Sequence, residues 1–339
     1  MADVGRLANV SAQTVSRYFT GSGYVSAKTR AKIEAAIEAL GYRFNHVARN
    51  LRVNRTNNVG VLTMGPINYG TSSITTGISR AARAAGYSVT IAQVELSAGD
   101  PAALAEARHA IERFLTIQVD GIVLATPYRG SAALIADLPD SLPALALADE
   151  PGLAESQAGT SYQAARLAIR HLAELGHERI LHLAGPESRN ETFERLRGYE
   201  DGLAEFGFTP LPVAHAREWD AESGFLLGQR SDLEFSAVFA GDDELAVGFM
   251  AAMRARGRTS PEDFSIIGID DVPNAAYLQP ALTTVRVDFA DVGRRAFETI
   301  HTWIEGSDKE PRATTPPTLV VRASTRRPGG RVRAHTAGG

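Results

Sequence analysis

VSAQTVSRYFTGSGYVSAKTR, residues 10–30, is the stretch on which the reading of this chain turns. Ser11 and Ser26 each precede a helical pattern, where a hydroxyl can accept one of the free N–H groups of a first turn. From Ala12 to about Phe19, Val15 and Phe19 point inward and Ala12, Gln13, Ser16 and Arg17 outward, the spacing of a short amphipathic helix. Gly21, Ser22 and Gly23 interrupt it. Upstream, Val4, Leu7 and Ala8 fall at i, i+3, i+4 and predict another short helix. Asn9 then supplies a residue that tolerates the left-handed backbone of a tight turn. Downstream, Ile33, Ile37 and Leu40 share one face of a third helix that Gly41 ends. Helix, three-residue turn, helix is a layout whose second helix enters the DNA major groove.

Charge is divided along the chain. Residues 1–58 hold nine Lys/Arg against three Asp/Glu, a net +6, and the remainder holds 26 basic and 36 acidic residues, a net −10. A basic head on an acidic body is expected when one end meets a polyanion, although a solvated charged face gives the same count. Apolar residues make up 44% of the 339, enough for sizeable cores, and cysteine is absent. Disulfides, thiolate nucleophiles and Cys-ligated zinc are thereby excluded. The opening residues carry no secretory pattern and no apolar run reaches membrane-spanning length, so a cytoplasmic chain with no membrane partner is expected.

The ordered runs VSxxTVSR, VSxxTR and ALGYxxNxxAxxL make residues 3–51 resemble the N-terminal segment of the lactose repressor (LacI/GalR) family. The resemblance implies that Ala12, Gln13 and Arg17 read base edges. Gln suits adenine and Arg guanine, each pair worth roughly 1–3 kcal/mol of discrimination. Thr14, Ser16, Ser26 and Tyr42 are expected as backbone contacts or helix caps, which position a head without reading sequence. The same runs put Thr29, Asn45, His46 and Ala48 among the DNA-facing positions. Residues 45–51 are too short for a stable free helix. The resemblance implies that they fold as a hinge helix on DNA, with Leu51 wedged between minor-groove base pairs. Relatives carry several residues before the position of Asp3. The expectation is either a start upstream of Met1 or a first helix short of its opening turn.

From Val59 the pattern becomes strands alternating with helices: NVGVLTM, then SSITTGISRAARAAG, YSVTIAQV, PAALAEARHAIERFLTIQ, DGIVLA and PALALA. After about Thr160 it restarts with SYQAARLAIRHLAELG, RILHLAG, ETFERLRGYEDGLAEFG, SAVFAG, DELAVGFMAAMRARG and FSIIGID. This order implies an α/β body with two doubly wound parallel sheets in two lobes, a crevice between them, and ligands outside the carboxyl ends of the strands. Asp242 and Asp270 follow or close strands, and Trp219 offers a flat face to a sugar ring. Each has a simpler alternative: Asp242 or Asp243 as a helix cap, Trp219 as core.

The resemblance extends over the body, to about Arg326, and implies a periplasmic-binding-protein-like fold. By position, Arg195, Trp219, Asp242, Asp270 and Phe289 line the pocket from one side and Tyr69, Gly70, Thr71 and Ile74 from the N-terminal lobe. Asp242 stands where the lactose repressor has Asn and Val287 where it has Gln, with further replacements at about Gly159 and Leu96, so lactose itself is not implied. The expected parts are a head (1–44), a hinge (45–58) and an effector-binding body (59–327). Within the body, the N-lobe takes 59–158 and 287–316, and the C-lobe 159–286 and 317–327. The Gly-rich tail, 328–339, cannot form a core. No counterpart of a tetramer-forming Leu-rich helix is present, so the expected partners are a second copy of the chain, a near-palindromic operator and a sugar or glycoside.

Enzyme readings fare worse. GSG at 21–23 lacks a third Gly and a preceding strand, and no phosphate loop occurs, so no cofactor is expected. His171, Glu174 and His177 span too wide an arc of helix for a metal site. Asp242, Asp243, Asp270 and Asp271 form carboxylate pairs, but nothing else catalytic accompanies them. Two rival functions are a sugar-binding transport protein, which lacks such a head, and a repressor of the purine type, whose ligand strengthens DNA binding.

Overall fold

The computed structural model describes residues 1–20, 23–42, 55–95, 101–125, 128, 133–136, 138–139, 141–147, 159–307 and 315–328. The chain divides into two units, Met1–Thr56 and Asn57–Gly339.

Among its described residues the first unit holds three helices. α1 (Ala2–Ala8) ends on Asn9 at φ 52°, as its tolerance of left-handed backbone foretold, and Met1 at its start makes no side-chain cap. α2 (Ala12–Thr20) opens with the Ser11 hydroxyl accepting the Thr14 N–H at 3.1 Å. α3 (Ala27–Leu40) opens on Ser26 in the same way and closes on Gly41 at φ 56°. Val4, Ala8, Val15, Ile33 and Ala36 form the core. Two expectations fail here: Leu7 is 56% exposed and Leu40 46%. Gly5 is buried in place of Leu7, because α1 runs so close to the turn that a Cβ on Gly5 would lie 2.8 Å from the Val10 carbonyl oxygen.

The second unit holds two sheets. The first has order β2 (Ser88–Val94), β1 (Asn58–Met64), β3 (Gly121–Leu124), β4 (Ala144–Ala146), all parallel. Strand β1 alternates: Val59 and Val61 pack under α4 (Tyr69–Ala84) and α11 (Phe289–Ile304), and Leu62 and Met64 under α5 (Pro101–Thr116). A short helix α6 (Ala133–Ala136) adds Leu134 to the second cluster. Helices α4 and α11 cross where a Cβ on Gly293 would lie 2.0 Å from the Ile74 carbonyl oxygen, so only glycine fits.

The other sheet has order β10 (Thr318–Val320), β9 (Thr283–Arg286), β8 (Ser265–Asp270), β7 (Ala237–Ala240), β5 (Ile180–Ala184), β6 (Ala214–His215). It is parallel apart from β10, which runs antiparallel to β9, so the expectation of an all-parallel sheet is corrected at one edge. Helices α7 (Thr160–Glu174) and α8 (Asn190–Glu205) cover one face, and α9 (Ala221–Arg230) and α10 (Asp243–Ala255) the other. Between β9 and β10 the chain leaves for α11 and returns, so each lobe takes part of the C-terminal segment. Among the described residues no helix is long and apolar enough to cross a membrane.

Candidate functional site

Strands β5, β7 and β8 are parallel neighbours, so Gly185, Gly241 and Asp270 come to one edge of the sheet. The indole of Trp219, in the loop before α9, lies across the first two. A Cβ on Gly185 would stand 2.2 Å from Trp219 Cη2 and one on Gly241 2.8 Å from Cζ3. Two glycines at strand ends are what let a flat ring rest against the backbone. The Arg195 guanidinium from α8 stacks 4.9 Å from the Trp219 ring and donates from Nη1 to the Gly241 carbonyl at 2.6 Å. Arg195 Nη2 stands 3.8 Å from Asp270 Oδ1.

Asp242 begins α10, its Oδ1 accepting the Leu245 N–H at 2.8 Å. The capping alternative is therefore realised, and it occupies one carboxylate oxygen. Asp243 is wholly engaged inside the protein. Its Oδ2 accepts the Val272 N–H at 2.9 Å and its Oδ1 the Thr284 hydroxyl at 2.6 Å. Burial pushes Asp242 up to about 7 and Asp243 up to about 8, against the lowering pull of their hydrogen bonds. Burial likewise raises Asp270 well above the carboxylate range, with Arg195 acting in the opposite sense. Asp270 and Asp271 have φ of 115° and 57°. A non-glycine residue held in such a region costs of order 1–3 kcal/mol and persists where its surroundings over-determine it.

Several buried polar atoms at this edge have no hydrogen-bond partner: Arg195 Nε, Trp219 Nε1, Asp270 Oδ1, Ser188 Oγ and Thr192 Oγ1; on α4, Thr71 Oγ1 is likewise without one. Buried polar atoms are ordinarily satisfied. Donors and acceptors left open side by side suit a ligand bearing hydroxyl groups, each of which gives and takes a hydrogen bond.

Of the expected N-lobe wall, Asn68 caps α4 by accepting the Thr71 N–H at 2.9 Å, which fixes Tyr69, Gly70 and Thr71 in the first turn. Phe289 was expected on the Arg195 side and is corrected to this wall: as the first residue of α11 it stands edge-on to Tyr69 at 6.4 Å, and a Cβ on Gly70 would meet its ring at 3.3 Å. Phe289 packs against the cores of both lobes. Ile74 is 8% exposed, among the α4–α11 core residues. Val287 is core too, and Leu96 lies outside the described residues.

The sequence reading missed Arg189, which precedes α8 and is 4% exposed. It donates from Nη1 to the Met64 carbonyl at 3.2 Å, lies over the Tyr128 ring at 4.7 Å, and pairs with Glu191 at 2.7 Å. It is a direct tie between the lobes. Ser188 and Thr192 were missed with it. Residues 185–192 follow β5 as Asp242 follows β7, which marks the segment as lying at the ligand side of the sheet but does not show that its polar run turns inward. Two of the residues set aside as a metal site, the histidines, hold structural bonds. His171 bonds Thr325, and His177 bonds Ser236, Ser265 and the Arg326 carbonyl.

On the first unit, Ala12, Gln13 and Arg17 are exposed on α2, and Thr14 and Ser16 half-buried. Ser26 and Thr29 bond each other, hydroxyl to hydroxyl, at 2.9 Å. Tyr42 packs 6.0 Å from Phe19. Tyr24, which the sequence reading did not single out, is 90% exposed between α2 and α3. Asn45, His46, Ala48 and Leu51 lie outside the described residues.

Residues 1–45 match the family model for bacterial regulatory proteins of the lacI family, and residues 169–325 that for the periplasmic binding protein-like domain. The HTH-type transcriptional regulator AscG of Escherichia coli (strain K12) is 30% identical over 335 residues, covering 96% of this chain and 97% of its own. This chain belongs to the lacI family. The lactose operon repressor of the same strain is also 30% identical, over 96% of this chain and 90% of its own. A crystal structure of the lac repressor dimer bound to operator and the anti-inducer ONPF matches with a TM-score of 0.83 at 29% identity, over 96% and 98% of the two chains. A lacI-family regulator of this architecture has a DNA-binding helix-turn-helix unit and a two-lobed ligand-binding unit.

Proposed function

We propose that this lacI-family chain is a dimeric, cytoplasmic repressor whose grip on a near-palindromic operator is set by a sugar or glycoside held between its lobes. The observation that carries the effector half is the cluster of open polar atoms on Arg195, Trp219 and Asp270, around an indole laid flat over two strand ends. A ring with an apolar C–H face and hydroxyl edges meets both requirements, and it is bound and released unchanged. Asp242 offers its remaining oxygen. Tyr69, Gly70, Thr71 and Phe289 close the other side, and Ile74 supports them from the core.

For the DNA half, Gln13 and Arg17 read bases with Ala12 beside them. Thr14, Ser16, Thr29 and Tyr42 set the backbone register, and Ser26 caps α3. The hinge residues Asn45, His46 and Ala48 bring Leu51 to the minor groove. The division into head, hinge, two lobes and tail follows the sequence boundaries. The effector shifts operator affinity by its differential affinity for the DNA-bound and free states, which is all that any ligand can do. Two measurements test this. Selection from random duplexes followed by footprinting yields a near-palindromic site, and Leu51→Ala weakens binding there while leaving sugar binding intact. Thermal shifts against a sugar panel show stabilisation that Trp219→Ala and Asp270→Ala abolish. No preferred duplex site removes the repressor reading, and stabilisation that survives in both variants removes the pocket.

A further inference from the structure

Asp271 is the residue after the strained Asp270, and its carboxylate is held on both oxygens. Oδ1 accepts Arg322 Nη2 at 2.5 Å, and Oδ2 accepts Arg286 Nε at 2.7 Å with Nη2 at 2.6 Å. Its N–H donates to the Thr284 hydroxyl at 3.3 Å, and the next N–H, of Val272, goes to Asp243. Burial pushes Asp271 up, but the hydrogen bonds and charges of Arg322 and Arg286 outweigh it and hold the carboxylate below its usual range. Its side chain is 8% exposed and that of Arg322 17%, so the pair is shielded from water and unlike an ordinary surface ion pair.

The two arginines sit at chosen places in the chain. Arg286, on β9, is the in-register partner of Asp270 on β8 and of Thr318 on β10. Three residues after Arg286 the chain begins α11 on the other lobe, and Arg322 comes two residues after β10, where the chain has returned. Arg322 is anchored in its own right, donating to the Leu282 carbonyl at 2.8 Å and, from its N–H, to the Thr283 hydroxyl at 3.0 Å.

We infer that Asp271 is a positioning residue: clamped by Arg286 and Arg322, it holds the left-handed backbone that turns Asp270 towards Arg195, and it ties that aim to two chain crossings between the lobes. The inference rests on the reading of Asp270 as an effector contact. Asp271 touches no effector itself. It acts because an unclamped Asp270 leaves a backbone region that residues other than glycine rarely occupy. The crossings feel the same clamp, so occupancy at Asp270 and the placement of the lobes share one set of bonds.

The test is a double-mutant cycle on the full-length protein with Asp270→Asn and Asp271→Asn. Asparagine keeps the volume of aspartate and its tolerance of left-handed backbone, and it removes the charge both arginines hold. D-Ribose, D-galactose, lactose and cellobiose are the probes, and the tightest-binding one is titrated calorimetrically. Asp271→Asn lowers its affinity roughly five- to a hundredfold, the affinity equivalent of relaxing one strained residue. In the Asp270→Asn background the same change has no further effect, since residues acting in series are non-additive. Losses that multiply overturn the inference, because Asp271 then acts independently. If Asp271→Asn fails to fold, Arg322→Met takes its place in the cycle with the same expectation. If none of the four sugars binds the unchanged chain, the sugar reading falls, and a crystal structure of Asp271→Asn decides the clamp alone. Residue 270 leaves φ near 115° and its carboxylate withdraws from Arg195 if the clamp holds it. An unmoved Asp270 overturns the clamp.

Discussion

Gln13 and Arg17 stand exposed on α2, backed by the buried Val15, whereas Arg195, Trp219, Asp242 and Asp270 are each less than a tenth exposed. Both groups are polar side chains placed to meet a polar partner, and the difference lies in what holds them before the partner arrives. A base edge in a groove is reached by a protruding helix, so the head can carry its reading residues on a surface that contributes little to folding. A small solute is recognised only when enclosed, so the body must keep polar atoms out of water at a standing cost to its stability. Substitutions should therefore separate cleanly. At the reading positions of the head they change recognition and spare the fold, and in the body they change both.

The largest effect belongs to Trp219. Its ring fills the space over Gly185 and Gly241 and supports Arg195. Trp219→Ala should cost about 3–5 kcal/mol of stability, the usual range for removing a buried indole. It should also abolish stabilisation by sugars. Urea unfolding of parent and variant measures the first, and thermal shift the second. A stability loss under 1 kcal/mol would place the indole on the outside and break the contrast with the head.

A pH experiment probes the same buried interior. His182 in β5 is stacked 4.5 Å from Phe239, with Nδ1 donating to the Phe239 carbonyl at 3.0 Å and Nε2 lacking any partner. Burial lowers it to about 3. Its folded value lies below its unfolded value near 6.5. The stability it lends is therefore present above pH 6.5, is lost as pH falls from 6.5 towards 3, and changes no further below that. Asp242 and Asp243, raised to about 7 and 8, act in the opposite sense and lose stability as pH rises from about 4 through those values. The parent's net pH profile mixes the two, so the histidine is isolated by difference. His182→Phe should flatten the acid limb between pH 6.5 and 3 by up to about 1.4 kcal/mol per pH unit, one proton's worth. Parallel profiles would mean that the ring reaches water.

How far sequence carried the reading follows the same division. The head is made by local rules, so Asn9, Ser11, Ser26 and Gly41 took the roles their chemistry suggests. In the body, β1 to β5, β7 and β8 showed, most of them because strands buried on both faces read as apolar runs, while the short β6, β9 and β10 were not read. Helix α9 did not show, because Gly224 and Gly228 weaken its helical signal. Both glycines are needed against α10, where a Cβ on Gly224 would lie 2.3 Å from the Leu245 carbonyl oxygen. Arg189 and Thr192 were illegible for a different reason. A polar run after a strand reads as surface, and only the fold shows that it turns inward to reach Met64. Asp271 was read only as one of four carboxylates, since its arginines come from positions 15 and 51 residues further on.

In the head, Gln13→Ala and Arg17→Ala should each weaken operator binding by roughly 1–3 kcal/mol and relax preference at one base position. Neither should shift the urea midpoint measurably, since exposed helix positions away from caps rarely do. Competition binding against single-base operator variants measures the first claim. A midpoint shift as large as that of Trp219→Ala would show that these side chains are structural.

The smallest effect tests the boundary between holding and reading within the head itself. Ser26 sits at φ −60° and ψ 152°, its hydroxyl accepting the Thr29 N–H at 3.2 Å and pairing with the Thr29 hydroxyl. That hydroxyl is already engaged before any duplex arrives, so its work is to start α3. Ser26→Ala should lower the head's stability by about 1 kcal/mol, and Ser26→Gly by only a few tenths, because glycine is itself a tolerable cap. Operator affinity should follow stability, falling with alanine and nearly preserved with glycine. Both variants lack the hydroxyl equally. Equal losses of operator affinity with alanine and glycine would therefore mean that the hydroxyl meets a phosphate, and that even the cap of α3 belongs to the reading surface.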